Sequence, residues 1–264
     1  MPNWQVVSKE KHVNSGWVSP SDYRQAKESA LAPLMAAEIS HALPFYPLAF
    51  VKLPDGRFQL NAIFSLKNGV NLFLNQANRW LVPYVPAALR SYPFAMMKTD
   101  SDSHVLAVDV DSPFFKESAS ATDNAVLTSE GKADDSLELL IQFMQQRLAQ
   151  QIKTEAAVST LAEFDLLEPW EIQVKKEDSS VVGQVLSGLY RVNEKALKSL
   201  EADKLSLLAN NGALGIAYGQ IFSQVRLKDL QARAALAKPQ KQSTLDSVDL
   251  DKMFDGDSED IFSF

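Results

Sequence analysis

The chain has 264 residues, a formal net charge of −7 and no cysteine. Its 46% hydrophobic and 22% charged residues are those of an ordinary folded protein, which excludes collagen-like, disulfide-stapled and wholly disordered chains. Without thiols it has no cysteine nucleophile, no thiolate metal site and no dithiol redox pair.

The negative charge is concentrated at one end. Residues 246–264 hold seven acids (Asp246, Asp249, Asp251, Asp255, Asp257, Glu259, Asp260) against Lys252, a net of −6, and the other 245 residues sit near −1. The expected organisation is an N-terminal arm at 1–16, a globular body at 17–237, a linker at 238–245 and an acidic disordered tail at 246–264. No uncharged apolar run approaches the ~20 residues needed to cross a bilayer. The N-terminus lacks a basic region followed by an apolar core, so no cleavable signal is expected and the cytoplasm is the expected compartment.

In chain order, Ser19-Pro20-Ser21-Asp22 reads as a helix start, with Ser19 as cap and Pro20 at the first helical position, running toward Ala32. A second helical piece follows at 33–42. Leu48 to Leu53 and Phe58 to Leu66 alternate with period two around the turn Pro54-Asp55-Gly56-Arg57 and predict a hairpin. Short strands are expected at Val70–Leu74 and Arg79–Val82, and a further one at His104–Val110. A loop rich in Ser, Ala, Thr, Asp and Gly covers 117–133. A long helix then starts at Asp134 or Asp135, with Leu137, Leu140, Ile141, Met144, Leu148 and Ile152 forming one apolar stripe. Trp170–Val174 and Val181–Val192 form a second candidate hairpin. Asn193 caps a helical remainder, with segments 194–200, 204–210 and 214–237 and Gly212 as a stop. Helices mixed with hairpins, without regular βαβ units, give an α+β fold: antiparallel sheet in the N-terminal half and a mainly helical C-terminal third.

The common catalytic templates (G-x-G-x-x-G, G-x-x-x-x-G-K-[ST], H-E-x-x-H, G-x-S-x-G) are absent. Three histidines, His12, His41 and His104, are widely separated, and no metal site is expected. Asp109 and Asp111 fall on one face of a strand, where paired carboxylates either hold Mg²⁺ or line a solvated edge; the solvated edge is the plainer reading. In the tail, an EF-hand register beginning at Asp251 would put Phe262 where a Glu is required. What remains there is alternation of acids with large apolar residues, making Phe254, Ile261, Phe262 and Phe264 candidate partner-binding anchors. Residues 224–245 carry five bases and one acid, a basic surface on which that tail could fold back. Nucleic acid is not an expected partner, because the body is not basic.

The densest stretch runs from Asn71 to Phe94. Prolines fix its backbone, Trp80, Tyr84, Tyr92 and Phe94 supply flat surfaces, and Arg79 and Arg90 supply cations suited to a carboxylate or phosphate. The stretch reads either as a binding ribbon, with Asn71, Arg79, Trp80, Tyr84, Arg90, Tyr92 and Phe94 as its site, or as a rigid core ribbon whose arginines satisfy nearby carbonyls.

Here the chain resembles the SapC family, named from an S-layer-associated gene cluster. The resemblance rests on Pro33-Leu34-Met35-Ala36-Ala37-Glu38, Tyr46-Pro47-Leu48-Ala49-Phe50-Val51, Asn71-Leu72-Phe73, Arg79-Trp80, Tyr84-Val85-Pro86, Leu89-Arg90-Ser91-Tyr92-Pro93-Phe94 and Gly188-Leu189-Tyr190-Arg191-Val192-Asn193. It covers roughly Trp17 to Ala237 and leaves the tail outside. The chain departs from the family pattern at Ser91, where a second arginine is common, and at Gln220, where the last long helix often carries a histidine. The resemblance implies a non-enzymatic accessory or protein-binding role without a cofactor. The implied partners are an envelope or S-layer export component, or a neighbouring flavin-dependent halogenase. One alternative is an enzyme or small-molecule binder with the ribbon as pocket wall and Glu38, His41 or Asp109 as acid–base groups. Another is export cargo with an uncleaved signal at Glu259–Phe264.

Overall fold

The computed structural model describes residues 2–99, 103–172 and 187–237. The strands are β1 (Trp4–Val6), β2 (Gly16–Trp17), β3 (Leu31–Pro33), β4 (Leu48–Lys52), β5 (Phe58–Ile63), β6 (Phe94–Lys98), β7 (His104–Asp109), β8 (Phe115–Lys116), β9 (Asn124–Ala125), β10 (Leu167–Pro169) and β11 (Leu189–Val192). The helices are α1 (Lys9–His12), α2 (Ile39–Ala42), α3 (Asp135–Glu163), α4 (Glu194–Lys198), α5 (Ala202–Asn210), α6 (Ala213–Ser223) and α7 (Arg226–Leu236), with 3₁₀ turns at Arg24–Ala26, Ala36–Glu38 and Ala87–Leu89. The fold is α+β, as its sequence predicts.

The hairpin predicted around Pro54–Arg57 forms the middle of the largest sheet. β4 and β5 pair antiparallel from Leu48↔Ala62 to Lys52↔Phe58, and Gly56 takes the positive φ of 87° that the tight turn requires. The full order is β10-β11-β4-β5-β3. Smaller sheets, β1-β7-β6 and β8-β2-β9, complete the strand layer.

Two hydrophobic clusters sit on these sheets. The larger gathers Tyr46, Leu48, Phe50, Leu60, Ile63, Phe64 and Phe73 under α6 and the C-terminal half of α3; the smaller gathers Trp17, Phe94, Val108, Phe115, Val126 and Leu137. At 1.5 Å per residue, α3 is about 43 Å long and serves both. Leu137 and Met144 enter the smaller cluster, and Ala157, Val158 and Leu161 enter the larger. The predicted stripe therefore rotates off register, and Ile152 is 59% exposed. Asp134 caps α3 by accepting from the Ser136 N–H, and Asn193 caps α4 by accepting from the Ala196 N–H, as expected.

Several local expectations are corrected. The helix expected from Ser19 is a single 3₁₀ turn, because Asp22 accepts the Arg24 N–H and holds the Arg24 guanidinium. The Ala30 carbonyl then accepts from Phe64 and Ser65, turning the chain into β3. This is an edge strand, where Pro33 displaces no ladder donor. The helical piece expected at 33–42 forms over 36–42, as a 3₁₀ turn running directly into α2, while Pro33 belongs to β3. The strands expected at 70–74 and 79–82 reduce to one bridge, Leu74↔Trp80. There the Asn75 side chain accepts from Ala77 and Arg79 and closes a tight loop instead. Of the second hairpin, the end of the later strand forms as β11, but its partner β10 lies at Leu167–Pro169, ahead of the strand expected from Trp170, and residues 173–186 lie outside the described ones. β7 is central in its sheet, not a solvated edge, so Asp109 is buried between β1 and β6.

The long helix expected at 214–237 is broken into α6 and α7, and the break accompanies a buried polar clamp. Ser223 Oγ accepts the Leu48 N–H and donates to the Gln220 carbonyl, a side-chain bond of the kind that bends helices. Gln220 accepts the Val192 N–H and donates to the Leu48 carbonyl, joining α6 to β4 and β11 at once.

α6 also presses on α2 so closely that a Cβ at Gly219 would lie 2.6 Å from Ile39 Cγ2, whereas a Cβ at Gly215 would meet nothing within 4 Å. Gly219→Ala therefore destabilises by about 1–3 kcal/mol through overpacking against a β-branched side chain. Gly215→Ala stabilises by roughly 0.5–1 kcal/mol through helix propensity. Urea unfolding of the two variants checks the opposite signs.

Candidate functional site

The ribbon is built on Glu38, the last residue of the 3₁₀ turn before α2. Its side chain is buried and reaches back to the Met35 N–H through Oε2 (3.0 Å), the capping geometry that satisfies a turn's first donor. Its Oε1 accepts from the Ala87 N–H (2.7 Å) and the Tyr84 hydroxyl (2.6 Å). One carboxylate thus holds two points of the ribbon to the body.

A second attachment runs through Tyr46, which is fully buried in the larger cluster. The Trp80 indole N–H donates to Tyr46 Oη (2.6 Å), and the Tyr46 hydroxyl donates to the Tyr84 carbonyl. Trp80 also packs edge-on against Tyr23 and Phe64. Trp80, Val82 and Tyr84 turn toward the core, while Arg79, Leu81 and Pro83 alternate outward.

Of the sequence-predicted residues, Asn71 is buried, donating to the Ala26 carbonyl and accepting the Phe73 N–H. Phe94 is buried edge-on to Trp17. The Tyr92 hydroxyl donates to Asp109 Oδ2 (2.8 Å), and Asp109 Oδ1 accepts the Asn3 N–H (2.8 Å). The structure brings Trp80, Tyr84 and Arg90 together around α2 and places Tyr92 and Phe94 on the smaller sheet. Arg79 and Arg90 are exposed. Arg90 donates from Nε to the Val85 carbonyl (2.8 Å) and lies over the Tyr84 ring at 5.1 Å, and exposed His41 stacks on the same ring. The tail anchors Phe254, Ile261, Phe262 and Phe264 lie outside the described residues.

His12 is buried, its Nδ1 accepts the Ser8 N–H, and burial lowers its pKa. Among the described residues, no three His, Asp or Glu side chains gather as metal ligands, and no helix is long and apolar enough to cross a membrane.

A small cleft, with room for little more than a water molecule, lies behind the Glu38 attachment, lined by Leu34, Phe58, Leu60, Ala88, Arg147 and Thr154 among others. Of Glu38, His41 and Asp109, only Glu38 lines it. Arg147 stands partly buried there, its Nε enclosed without a hydrogen-bond partner; burial disfavours its charge and Glu38 partly restores it. The sequence reading missed Tyr46, Arg147 and the Gln220–Ser223 clamp. The signals available were a tyrosine beside Pro47, an arginine one position from an apolar stripe, and a glutamine in the most apolar helix.

The SapC family model matches residues 7–230. The chain belongs to the SapC family. No curated protein and no solved structure matched it. The SapC match spans the ribbon, its Glu38 and Tyr46 attachments and the α6 clamp, and ends within α7.

Burial raises the phenol pKa of Tyr46 and Tyr84 and pushes Tyr92 up to about 12. An unfolded tyrosine ionises near pH 10 (roughly). The native state therefore binds these protons more tightly, and their contribution to stability is complete below that pH and lost as pH rises through the native values. Absorbance titration at 295 nm of native and urea-unfolded protein is expected to show three phenols delayed in the native curve. Tyr84→Phe and Tyr92→Phe should each remove one delayed component.

Proposed function

We propose that this SapC-family protein is a non-enzymatic accessory protein that acts by contact, holding an acidic segment of a protein partner on the outer face of the ribbon. The observation that carries the reading is the division of labour along the ribbon. The polar tips of Trp80, Tyr84 and Tyr92 are committed to Tyr46, Glu38 and Asp109, while the cations Arg79 and Arg90 stand outward. Groups bound in this way are positioned, not poised for proton transfer. A surface ordered before binding loses little conformational entropy on association.

Arg90 is suited to the task. Its Nε bond to Val85 and its place over Tyr84 hold the guanidinium in one orientation, leaving its remaining donors for a carboxylate. Leu81, half-exposed between Arg79 and Pro83, adds apolar area at the centre of this face. Such an arrangement, cations around a small apolar centre, suits a transient protein contact. The family resemblance leaves two partner classes, an envelope or export component and a neighbouring flavin-dependent halogenase, and we take the cytoplasm as the compartment. The small-molecule alternative has less support, because both Glu38 oxygens facing the cleft are already bonded.

Charge reversal tests the reading without disturbing the core. Arg79→Glu with Arg90→Glu is expected to keep the native fold at a cost of about 1–2 kcal/mol, since Arg90 gives up one exposed hydrogen bond to Val85 and its place over the Tyr84 ring. The same variant should lose the partner that the wild-type chain retains on purification from its native cell. Unchanged retention by a natively folded variant would remove the ribbon from the binding account.

A further inference from the structure

The outward face of α6 is unlike that of any other helix here. Gly215, Tyr218, Phe222 and Val225 follow one another at spacings of three and four, which places them on one stripe. Tyr218 is 36%, Phe222 59% and Val225 63% exposed. The two rings stack on each other at 5.7 Å, presenting a single flat apolar surface to solvent. The opposite face is fully used: Ile216, Ala217, Gly219, Gln220 and Ser223 are buried against the sheet and α2. Contiguous exposed aromatic surface of this kind marks a contact site.

The helix that follows the stripe, α7, carries Arg226, Lys228 and Arg233 against the single acid Asp229. Arg226 is paired with Asp229. Lys228 is exposed without an ion pair among the described residues, and Arg233 lies over the Phe73 ring. α7 ends at Leu236, 86% exposed, and the chain continues from there into 28 further residues. Those residues close with Leu250, Met253, Phe254, Ile261, Phe262 and Phe264 set among seven acids.

We infer that the stripe formed by Tyr218, Phe222 and Val225 is the docking surface for this chain's own segment 246–264. The complementarity is twofold: apolar anchors meet a bare aromatic stripe, and acids meet the net-positive α7 that follows it. Reach is sufficient. From the end of α7 back to Tyr218 is about 25 Å along the helices, and the twelve residues 238–249 extend to about 40 Å. A tether of that length supplies an effective concentration in the mM range, so a weak intrinsic affinity of about 1 mM half-fills the surface. The acidic segment would also compete with acidic partners for the bases of α7, making the stripe a regulated surface. This inference does not depend on the role of Arg79 and Arg90.

The absence of native cysteine makes the test direct. Ser258→Cys in the full-length chain carries a nitroxide, and amide intensities are compared with the label oxidised and reduced. The expected result is loss of most intensity at residues 215–225, unchanged on dilution, weakened at high salt, and abolished by Phe254→Ser/Phe262→Ser/Phe264→Ser, which leaves the body untouched. Phe222→Asp should do the same from the other side. Broadening that is absent or spread evenly over the body would overturn the inference. So would broadening that appears only between isotope-labelled chains and separate spin-labelled chains, because the stripe would then belong to a second copy.

Discussion

A buried carboxylate is expensive to hold unless every lone pair that faces the protein is used. Glu38 meets that condition with three donors, the Met35 and Ala87 amides and the Tyr84 hydroxyl. Two of the donors belong to the ribbon and one to the body, so the group that must be satisfied is also the group that joins them. Hydrogen bonds to a charged acceptor contribute about 1.5–3 kcal/mol each, and an orphaned partner forfeits more than its share. The attachment is therefore close to all-or-none, and the ribbon's shape follows from it.

The rest of the molecule supports that carboxylate. α2 begins directly after Glu38, and α6 lies against α2 at a distance only Gly219 permits. α6 is in turn held to β4 and β11 by Gln220 and Ser223, whose side chains meet the backbone groups of Leu48 and Val192. Tyr46, just before β4, completes the circuit by receiving Trp80 and donating to Tyr84. Sheet, helices and ribbon are tied by two buried polar networks, one through Glu38, Tyr84, Tyr46 and Trp80 and one through Gln220 and Ser223, joined by apolar packing of α6 on α2. Such networks rigidify a surface when complete, which is what a contact protein needs from it.

Much of the fold was legible in the residues. Period-two alternation and a Pro-Asp-Gly turn announced the β4–β5 hairpin, and Asp134 and Asn193 announced their helices by capping. Pattern reading failed where a side chain competed with the backbone. Asp22 stopped a helix that Ser19 and Pro20 predict, Asn75 replaced a strand with a loop, and Ser223 divided a helix that propensity alone would run on. It also failed at α3, whose apolar stripe shifts because one helix serves two clusters. Asp109 looked like half of a solvated pair because a sequence does not say which strand is central. At the ribbon, composition identified the residues but not their direction. Only the fold separates Trp80, Tyr84 and Tyr92, which turn inward, from Arg79 and Arg90, which turn out, and no local pattern marks Glu38 as the hub.

Glu38 holds the ribbon in its shape before any partner arrives, and native-state hydrogen exchange reads that directly. In the wild-type chain the Ala87 amide, bonded to Glu38, and the Leu81 amide, bonded to the Phe73 carbonyl, should be protected nearly as well as the β4–β5 amides. Glu38→Ala, which removes the acceptor of both ribbon donors, should strip protection from both ribbon amides and leave β4–β5 intact. Ribbon amides that exchange freely in the wild type, or that keep their protection in Glu38→Ala, would contradict it.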